Sequence, residues 1–451
     1  MIYTIKFLPL TVNVIFLFLM SFYVSSKDAK TVQATIYEPR LLVIIIFVCF
    51  SIIYGIWIQG RNLNLFEYVL VKIKSIKFSK GMAFIFLASI SASVSPMPIV
   101  AWMGHDSAQF GTLVFFLSIA ILLAFASGDI PSEFYIIPLS CCVFIMFTLT
   151  IFESVGFRPM THWFSSPSIV YPAATIGLRQ HLGGWFAIMA LQPVFFYRNR
   201  QKNVWFYLWI SSGLIGAAVC TTSAATIGLL IGLIFWTLSE IANKKLTALI
   251  FLIMFILSSL LLPQATESIS DRLGNPKNIY KPYTSTTTLK TRLILWKAAA
   301  RGSADRPLLG WGSQTFATFL PRLLTDDDLF RLYRLELGIS DKSPIRRYVI
   351  GYEYKYHGKW KHFNLQYIEP HSALFSEIYS RGILSTILLL IIILSYINKY
   401  RGRYFLSYIS AFFPYIFYLL FWFYLVPATP MYFALLGIAH KDMIEDATNQ
   451  S

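Results

Sequence analysis

Runs of apolar residues about as long as a membrane crossing recur along this chain, separated by short polar or basic stretches. They lie near residues 8–25, 41–59, 81–101, 111–127, 134–152, 178–197, 204–220, 222–239, 247–263, 373–397, 405–424 and 428–440. Crossing ~30 Å of hydrocarbon takes about 20 helical residues, and a helix satisfies its own backbone there. The pattern predicts an all-α polytopic membrane protein with about twelve transmembrane helices. The first run has Lys6 before it and Val24-Ser25-Ser26 after it. It reads as an uncleaved first span, a cleaved signal segment being the alternative.

Composition strengthens this reading. The 451 residues are 56% hydrophobic, 17% aromatic and only 13% charged, with mean hydropathy +0.60. So few charges cannot solvate a folded surface of that size, which excludes a soluble enzyme. Cys49, Cys141, Cys142 and Cys220 lie inside apolar runs without C-x-x-C spacing. They read as small hydrophobes, not as a disulfide framework or a zinc site.

The formal charge of +16 has to be sorted by membrane side before it says anything about partners, and sorted so it gives no reason to expect nucleic acid. Arg61, Lys72, Lys74, Lys77 and Lys80 share one loop, Arg198, Arg200 and Lys202 a second, Lys244 and Lys245 a third, and Lys399, Arg401 and Arg403 a fourth. With twelve spans, all four loops fall on one side. The positive-inside rule makes that side the cytoplasm, and both termini join it. The loop 128–133 carries no basic residue and is the weak vote.

This division gives a membrane domain over 1–263 with spans one to nine, a large outer loop over 264–370, a second membrane portion over 371–440 with spans ten to twelve, and a cytoplasmic tail over 441–451. The 107-residue loop is too long for a connector. It carries seventeen Lys or Arg against ten Asp or Glu. An excess of positive charge on the outer face suits an anionic partner at the membrane surface, either phospholipid headgroups or a lipid-linked pyrophosphate.

Within the loop, 271–289 is rich in turn formers and reads as irregular. Residues 291–301 read as a helix that places Arg292 and Trp296, four apart, on one face. Pro307-Leu308-Leu309-Gly310-Trp311-Gly312 offers two glycines where backbone can approach a ligand. Residues 326–337 read as a second helix, with Asp326, Asp327 and Asp328 at its N-terminal end, a helix start in preference to a metal site. From Tyr348 to Tyr367 aromatic and polar residues alternate, with His357-Gly358 at a plausible hairpin turn. Sugar stacking and an interfacial aromatic belt account for that strip equally well.

The chemistry centres on His371. It follows Glu369-Pro370 and opens the apolar run 372–397, which predicts an imidazole at the outer interface in the first turn of a helix. A neutral histidine there can take a proton from an attacking hydroxyl; a helix-start histidine bound to headgroup water is the plainer alternative. Glu377, six residues into the run, has Arg381 one turn on as its natural partner, with a role in supporting His371 as the minority reading.

His371-Ser372, nine residues, then Gly382-Ile383-Leu384 resembles the H-[NSQ]-x9-G-x-x motif of the O-antigen ligase and polysaccharide polymerase family. The string Arg292-x3-Trp296-x10-Pro307-Leu308-Leu309-Gly310-x-Gly312-x3-Phe316 resembles that family's periplasmic-loop signature. The likeness extends to the twelve spans and the late outer loop, and is strongest over 289–390. It implies a bacterial inner-membrane enzyme, metal-independent and without cofactor. Such an enzyme transfers a glycan with inversion from undecaprenyl pyrophosphate to a sugar hydroxyl of an acceptor glycan or lipid A core, among membrane lipids. His371 takes the place of the catalytic histidine, and Arg292 that of the loop arginine on pyrophosphate.

The family's Thr-x-Ser-Arg string reads Thr221-Thr222-Ser223-Ala224 here, so one arginine is missing. Arg179 in the polar patch 177–184 is a candidate substitute, a snorkelling arginine being the alternative. His181 beside it is a candidate acceptor-site residue, with an interfacial role as the alternative, and Trp296 a candidate support. Arg346 and Arg347 are weaker phosphate candidates. The rival function is a flippase or exporter of lipid-linked oligosaccharide, which predicts mid-span charges and an internal repeat; a sensor or scaffold would leave the paired motifs unexplained.

Overall fold

The computed structural model describes residues 2–24, 36–59, 80–106, 108–127, 130–157, 172–198, 200–239, 245–272, 285–340, 342–348, 351–356, 358–363, 367–399 and 405–448. Arg61, Lys72, Lys74, Lys77, Lys244, Arg401, Arg403, His357 and residues 273–284 lie outside the described residues.

The chain is mostly helical. Its described helices are Ile2–Phe22 (α1), Glu38–Gln59 (α2), Lys80–Ser93 (α3), Pro98–Met103 (α4), Thr112–Ser127 (α5), Glu133–Ser154 (α6), Arg179–Met189 (α7), Gln192–Phe196 (α8), Val204–Cys220 (α9), Ser223–Ser239 (α10) and Lys245–Arg272 (α11). Then come Ser285–Asp305 (α12), Phe316–Leu323 (α13), Asp326–Leu337 (α14), Ala373–Lys399 (α15), Phe405–Leu420 (α16) and Thr429–Thr448 (α17). Among the described residues, four segments are long and apolar enough to cross a membrane: Glu38–Gly55, Glu133–Ser154, Lys245–Thr266 and Ala373–Ser395. Six shorter apolar helices accompany them.

Their outward faces stay apolar. Helix α11 exposes Leu246, Ile250, Ile253, Leu257, Leu260 and Leu261, and α15 exposes Ile387, Leu390 and Leu394. In water each such side chain would forgo about 1.5–3 kcal/mol of burial, so the pattern suits an apolar surround. Inside, α10 packs on α16, α17 on α5, and α9 on α6, α7 and α11. These helices share one large core that includes Trp185, Trp209, Trp236, Tyr415 and Tyr418.

Three element boundaries differ from the apolar pattern. The run 178–197 forms two helices, because Pro193 stands in the first turn of α8 and lacks the N–H that a continuous helix would need. Helix α11 continues past 263 to Arg272, so the large loop opens with helix. Helix α17 continues through 441–448, beyond the last apolar run.

The segment from α12 onward builds a second core, in which Leu295, Ala298, Ala299, Phe316, Leu320, Leu329 and Tyr333 bury one another. Helix α14 occupies the expected range, capped by Thr325, whose hydroxyl accepts from Asp328 N, and closed by Gly338 in the left-handed region. Asp328 pairs with Lys297 at 2.6 Å and Asp326 with Arg347, so these acids serve α14 and its neighbours. A three-stranded antiparallel sheet follows, Ile345–Arg347 (β1), Tyr352–Tyr356 (β2) and Lys359–Phe363 (β3), in the order β1-β2-β3. Tyr352 and Phe363 pack on Tyr333. Arg346 lies over the Trp360 ring at 4.0 Å and pairs with Glu353 at 2.7 Å.

Helix α15 joins the two cores, and it is broken at Gly382, with φ 77° and ψ 172°. A break strands backbone groups, which is costly in an apolar surround. Here the Pro307–Gly312 segment satisfies them: Trp311 N donates to Tyr379 O at 2.9 Å, Gly312 N to Ser380 O at 2.8 Å, and Ile383 N to Pro307 O at 2.8 Å. From α3, the Ser91 hydroxyl donates to Leu309 O and Ser380 O. A Cβ on Gly382 would overlap the Leu308 carbonyl. The glycine-containing strings at 307–312 and 382 therefore dock backbone to backbone.

Candidate functional site

His371 lies just ahead of α15, not in its first turn. Its φ of 55° is left-handed, a conformation histidine tolerates better than most residues, and the helix begins once Ser376 N reaches Ser372 O at 2.8 Å. The flanks of this strained residue are tied down. The Ser376 hydroxyl donates to Glu369, and the Tyr367 hydroxyl donates to Glu336 at 2.9 Å. Strain held by its surroundings is common at binding and catalytic positions.

The imidazole is half-buried and packs on the aromatic link after α16. Its ring centroid lies 4.8 Å from that of Trp422, 5.5 Å from Phe423 and 5.9 Å from Tyr367. Helix α12 brings Arg292 to the same place: its guanidinium carbon is 5.9 Å from the ring centroids of both Phe421 and Trp422. Trp296, one turn on, stacks on Phe375 at 5.3 Å and lies 6.2 Å from Phe421.

His181 arrives from the third side. Its ring lies 5.9 Å from Trp422 and 6.2 Å from Phe423. The glycines next in the chain make that approach possible. A Cβ on Gly184 would meet the Tyr418 ring at 2.5 Å, and one on Gly183 would overlap Thr222. With no side chain at Gly184, α7 seats directly on α16, and the Tyr418 hydroxyl donates to Gln180 O at 3.1 Å. The structure thus gathers His371, Arg292, Trp296 and His181 around Phe421, Trp422 and Phe423.

Four buried nitrogens in this cluster have no hydrogen-bond partner among the described residues: Arg292 Nε, Trp296 Nε1, Trp422 Nε1 and His371 Nδ1. The first three are obligatory N–H donors. A buried donor left unsatisfied costs about 1–3 kcal/mol, and native proteins hold few of them, so three together mark a place suited to an oxygen-rich ligand. Burial and then the Arg292 charge hold the His371 imidazole well below its ordinary pKa, so it is neutral at working pH. Burial likewise lowers that of Arg292.

Arg179 and Glu377 stand elsewhere. Arg179 is buried at the start of α7, near Cys220, which also feels Glu153. It is two positions from His181, about 200° around a helix, and so points to another side. Glu377 pairs with Arg381, whose guanidinium also lies 4.6 Å from the Phe115 centroid. Together with Glu369, Ser376, Ser380, Ser313, Gln314 and Tyr424 this pair lines a small polar cavity behind the His371 loop. Burial, then the Glu377 charge, pushes Glu369 up to about 7, with Ser376 and Arg381 pulling the other way.

The apolar pattern placed Trp422 and Phe423 in the end of a span and gave them no role, although four consecutive aromatics, Phe421 to Tyr424, were a usable sign of an interfacial surface. Tyr37, which bonds His181, carried no signal in the sequence at all. No family model, curated protein or solved structure matches this chain.

Proposed function

We propose that the protein is a membrane glycan transferase of the O-antigen ligase and polysaccharide polymerase type. In this reading twelve spans place 264–370 on the periplasmic face of a bacterial inner membrane, with both termini in the cytoplasm. In support, residues from three segments assigned to the cytoplasmic side meet at one end of the bundle: Arg200 pairs with Glu133 at 3.0 Å, and Arg198 with Asp442 at 3.3 Å.

The observation that carries the reading is the set of three unsatisfied N–H donors beside a neutral imidazole. The donor is a glycan on undecaprenyl pyrophosphate. Arg292, Trp296 and Trp422 hold its phosphate oxygens, and the guanidinium offsets negative charge as the sugar C1–O bond breaks. An acceptor hydroxyl, from a lipid A core sugar or a growing chain, attacks C1 from the opposite face, forming the new C1–O bond with inversion. Its proton passes to His371, and undecaprenyl pyrophosphate leaves. Arg179, turned to another side of α7 than His181 but close to Cys220, which lies four residues before Ala224, is in this reading the replacement for the arginine absent at Ala224.

Purified protein in vesicles, given undecaprenyl-pyrophosphate glycan and candidate acceptors, tests the reading. Transfer is expected for the wild type and its loss by 100-fold or more for His371→Ala and Arg292→Ala, in line with the ~10²–10⁴-fold worth of acid–base catalysis. Full activity in both well-folded variants sinks it. A product carrying lipid A core identifies a ligase, and a lengthened lipid-linked chain a polymerase.

A further inference from the structure

His181 has one hydrogen bond among the described residues, 3.0 Å between its Nδ1 and the Tyr37 hydroxyl, and the two rings stack at 6.3 Å. Both residues are buried. Tyr37 is itself fixed from below. One turn on, the fully buried Arg40 guanidinium donates to four backbone carbonyls, Met20, Ser21, Ile36 and Thr175, at 2.7–3.2 Å, and so locks the turn that carries the phenol.

The two groups bring two donors, a ring N–H and the phenol O–H, to one bond, so whichever way it runs one hydrogen is left over. If Nδ1–H donated to the phenol oxygen, the buried Tyr37 hydroxyl would have no acceptor left, at a cost of one unmade bond. If the hydroxyl donates to Nδ1, the phenol is satisfied and the leftover hydrogen sits on ring Nε2, without a partner among the described residues. That imidazole packs on the same Trp422 and Phe423 rings as His371 and Arg292.

We propose that Tyr37 is a positioning residue that holds His181 in the Nε2–H form, making His181 a further hydrogen-bond donor to the diphosphate of the lipid-linked substrate. Two imidazoles in one site then have separate duties: His371 accepts a proton, while His181 donates a hydrogen bond. The identity of the ligand rests on the transferase reading; the tautomer does not.

The test uses full-length protein in lipid nanodiscs with 15N-labelled histidine, His181→Asn assigning the signals. The expected spectrum has a protonated Nε2 and an unprotonated Nδ1, a shift of the Nε2 signal on adding inorganic pyrophosphate, and mixed tautomers in Tyr37→Phe. That variant keeps the ring and its stacking, so it is expected to fold, and to raise the donor KM about fivefold with little change in kcat, the worth of one hydrogen bond. A protonated Nδ1 in the wild type, a Tyr37→Phe spectrum identical to it, or an Nε2 signal indifferent to pyrophosphate would each overturn the proposal. Protein without transferase activity whose His181 still responds to pyrophosphate retains the site and loses only the transferase reading.

Discussion

Arg292 and His371 lie against one indole ring, that of Trp422, although 78 residues separate them in the chain. A fixed positive charge beside a histidine opposes its protonation, so the proposed base is weakest while the arginine is uncompensated. A bound diphosphate would offset that charge, and basicity would return as the donor arrives.

Removing the charge has a measurable sign. The folded-state pKa of His371 lies below its ordinary value of 6.5. Below about pH 6.5 the unfolded chain therefore takes up a proton that the native state refuses, and this group's contribution to stability falls with acidification. Arg292→Gln is expected to raise the His371 pKa and flatten that loss. Thermal unfolding of wild type and variant between about pH 7.5 and pH 5 reads the difference, and equal slopes would refute it.

Glu369 works in the opposite direction. Its folded pKa is about 7 against an ordinary 4.5, so the native state keeps a proton that the unfolded chain releases. Its contribution is full below pH 4.5 and lost as pH rises toward 7. Glu369→Gln, which still accepts from Ser376, is expected to unfold at a higher temperature than wild type at neutral pH and to gain nothing near pH 4. A gain that does not vary with pH would count against a buried protonated carboxyl.

Gly382 and Gly338 separate conformational strain from collision. Both have positive φ, 77° and 62°, but nothing lies within 4 Å of a Cβ on Gly338, whereas one on Gly382 overlaps Leu308. Gly338→Ala is expected to cost about 1 kcal/mol, and Gly382→Ala several times more, because the Pro307–Gly312 segment must move. The readout is denaturation in detergent, and equal losses would mean the docking is not tight.

Glu377 and Arg381 are each 3% exposed and paired one helical turn apart. Glu377→Ala alone strands a buried guanidinium and is expected to cost about 3–5 kcal/mol, whereas Glu377→Leu with Arg381→Met recovers most of that. A double variant as unstable as the single would show that the pair also holds its neighbours through hydrogen bonds.

Much of this was readable in order along the chain. Apolar run length set the helices, because a segment that must satisfy its own backbone in an apolar surround has few alternatives. Local rules were as reliable: the three acids Asp326, Asp327 and Asp328 announced α14, and the four-residue spacing of Arg292 and Trp296 put both on the face that meets Phe421. His371 and Arg292 were legible as motif members, but their meeting was not. That required α7 to sit on α16 at Gly184 and on Thr222 at Gly183, where side chains are absent, α15 to break where a distant loop could repair it, and an aromatic link to fall between three helices. Trp422, Tyr37 and Glu369 gain their chemistry from neighbours far away in sequence, and unsatisfied donors come into being only when packing removes water from them. Periodicity and residue type decided which helices form; the tertiary structure alone decided which side chains share a site, because contacts between remote segments depend on how whole surfaces fit.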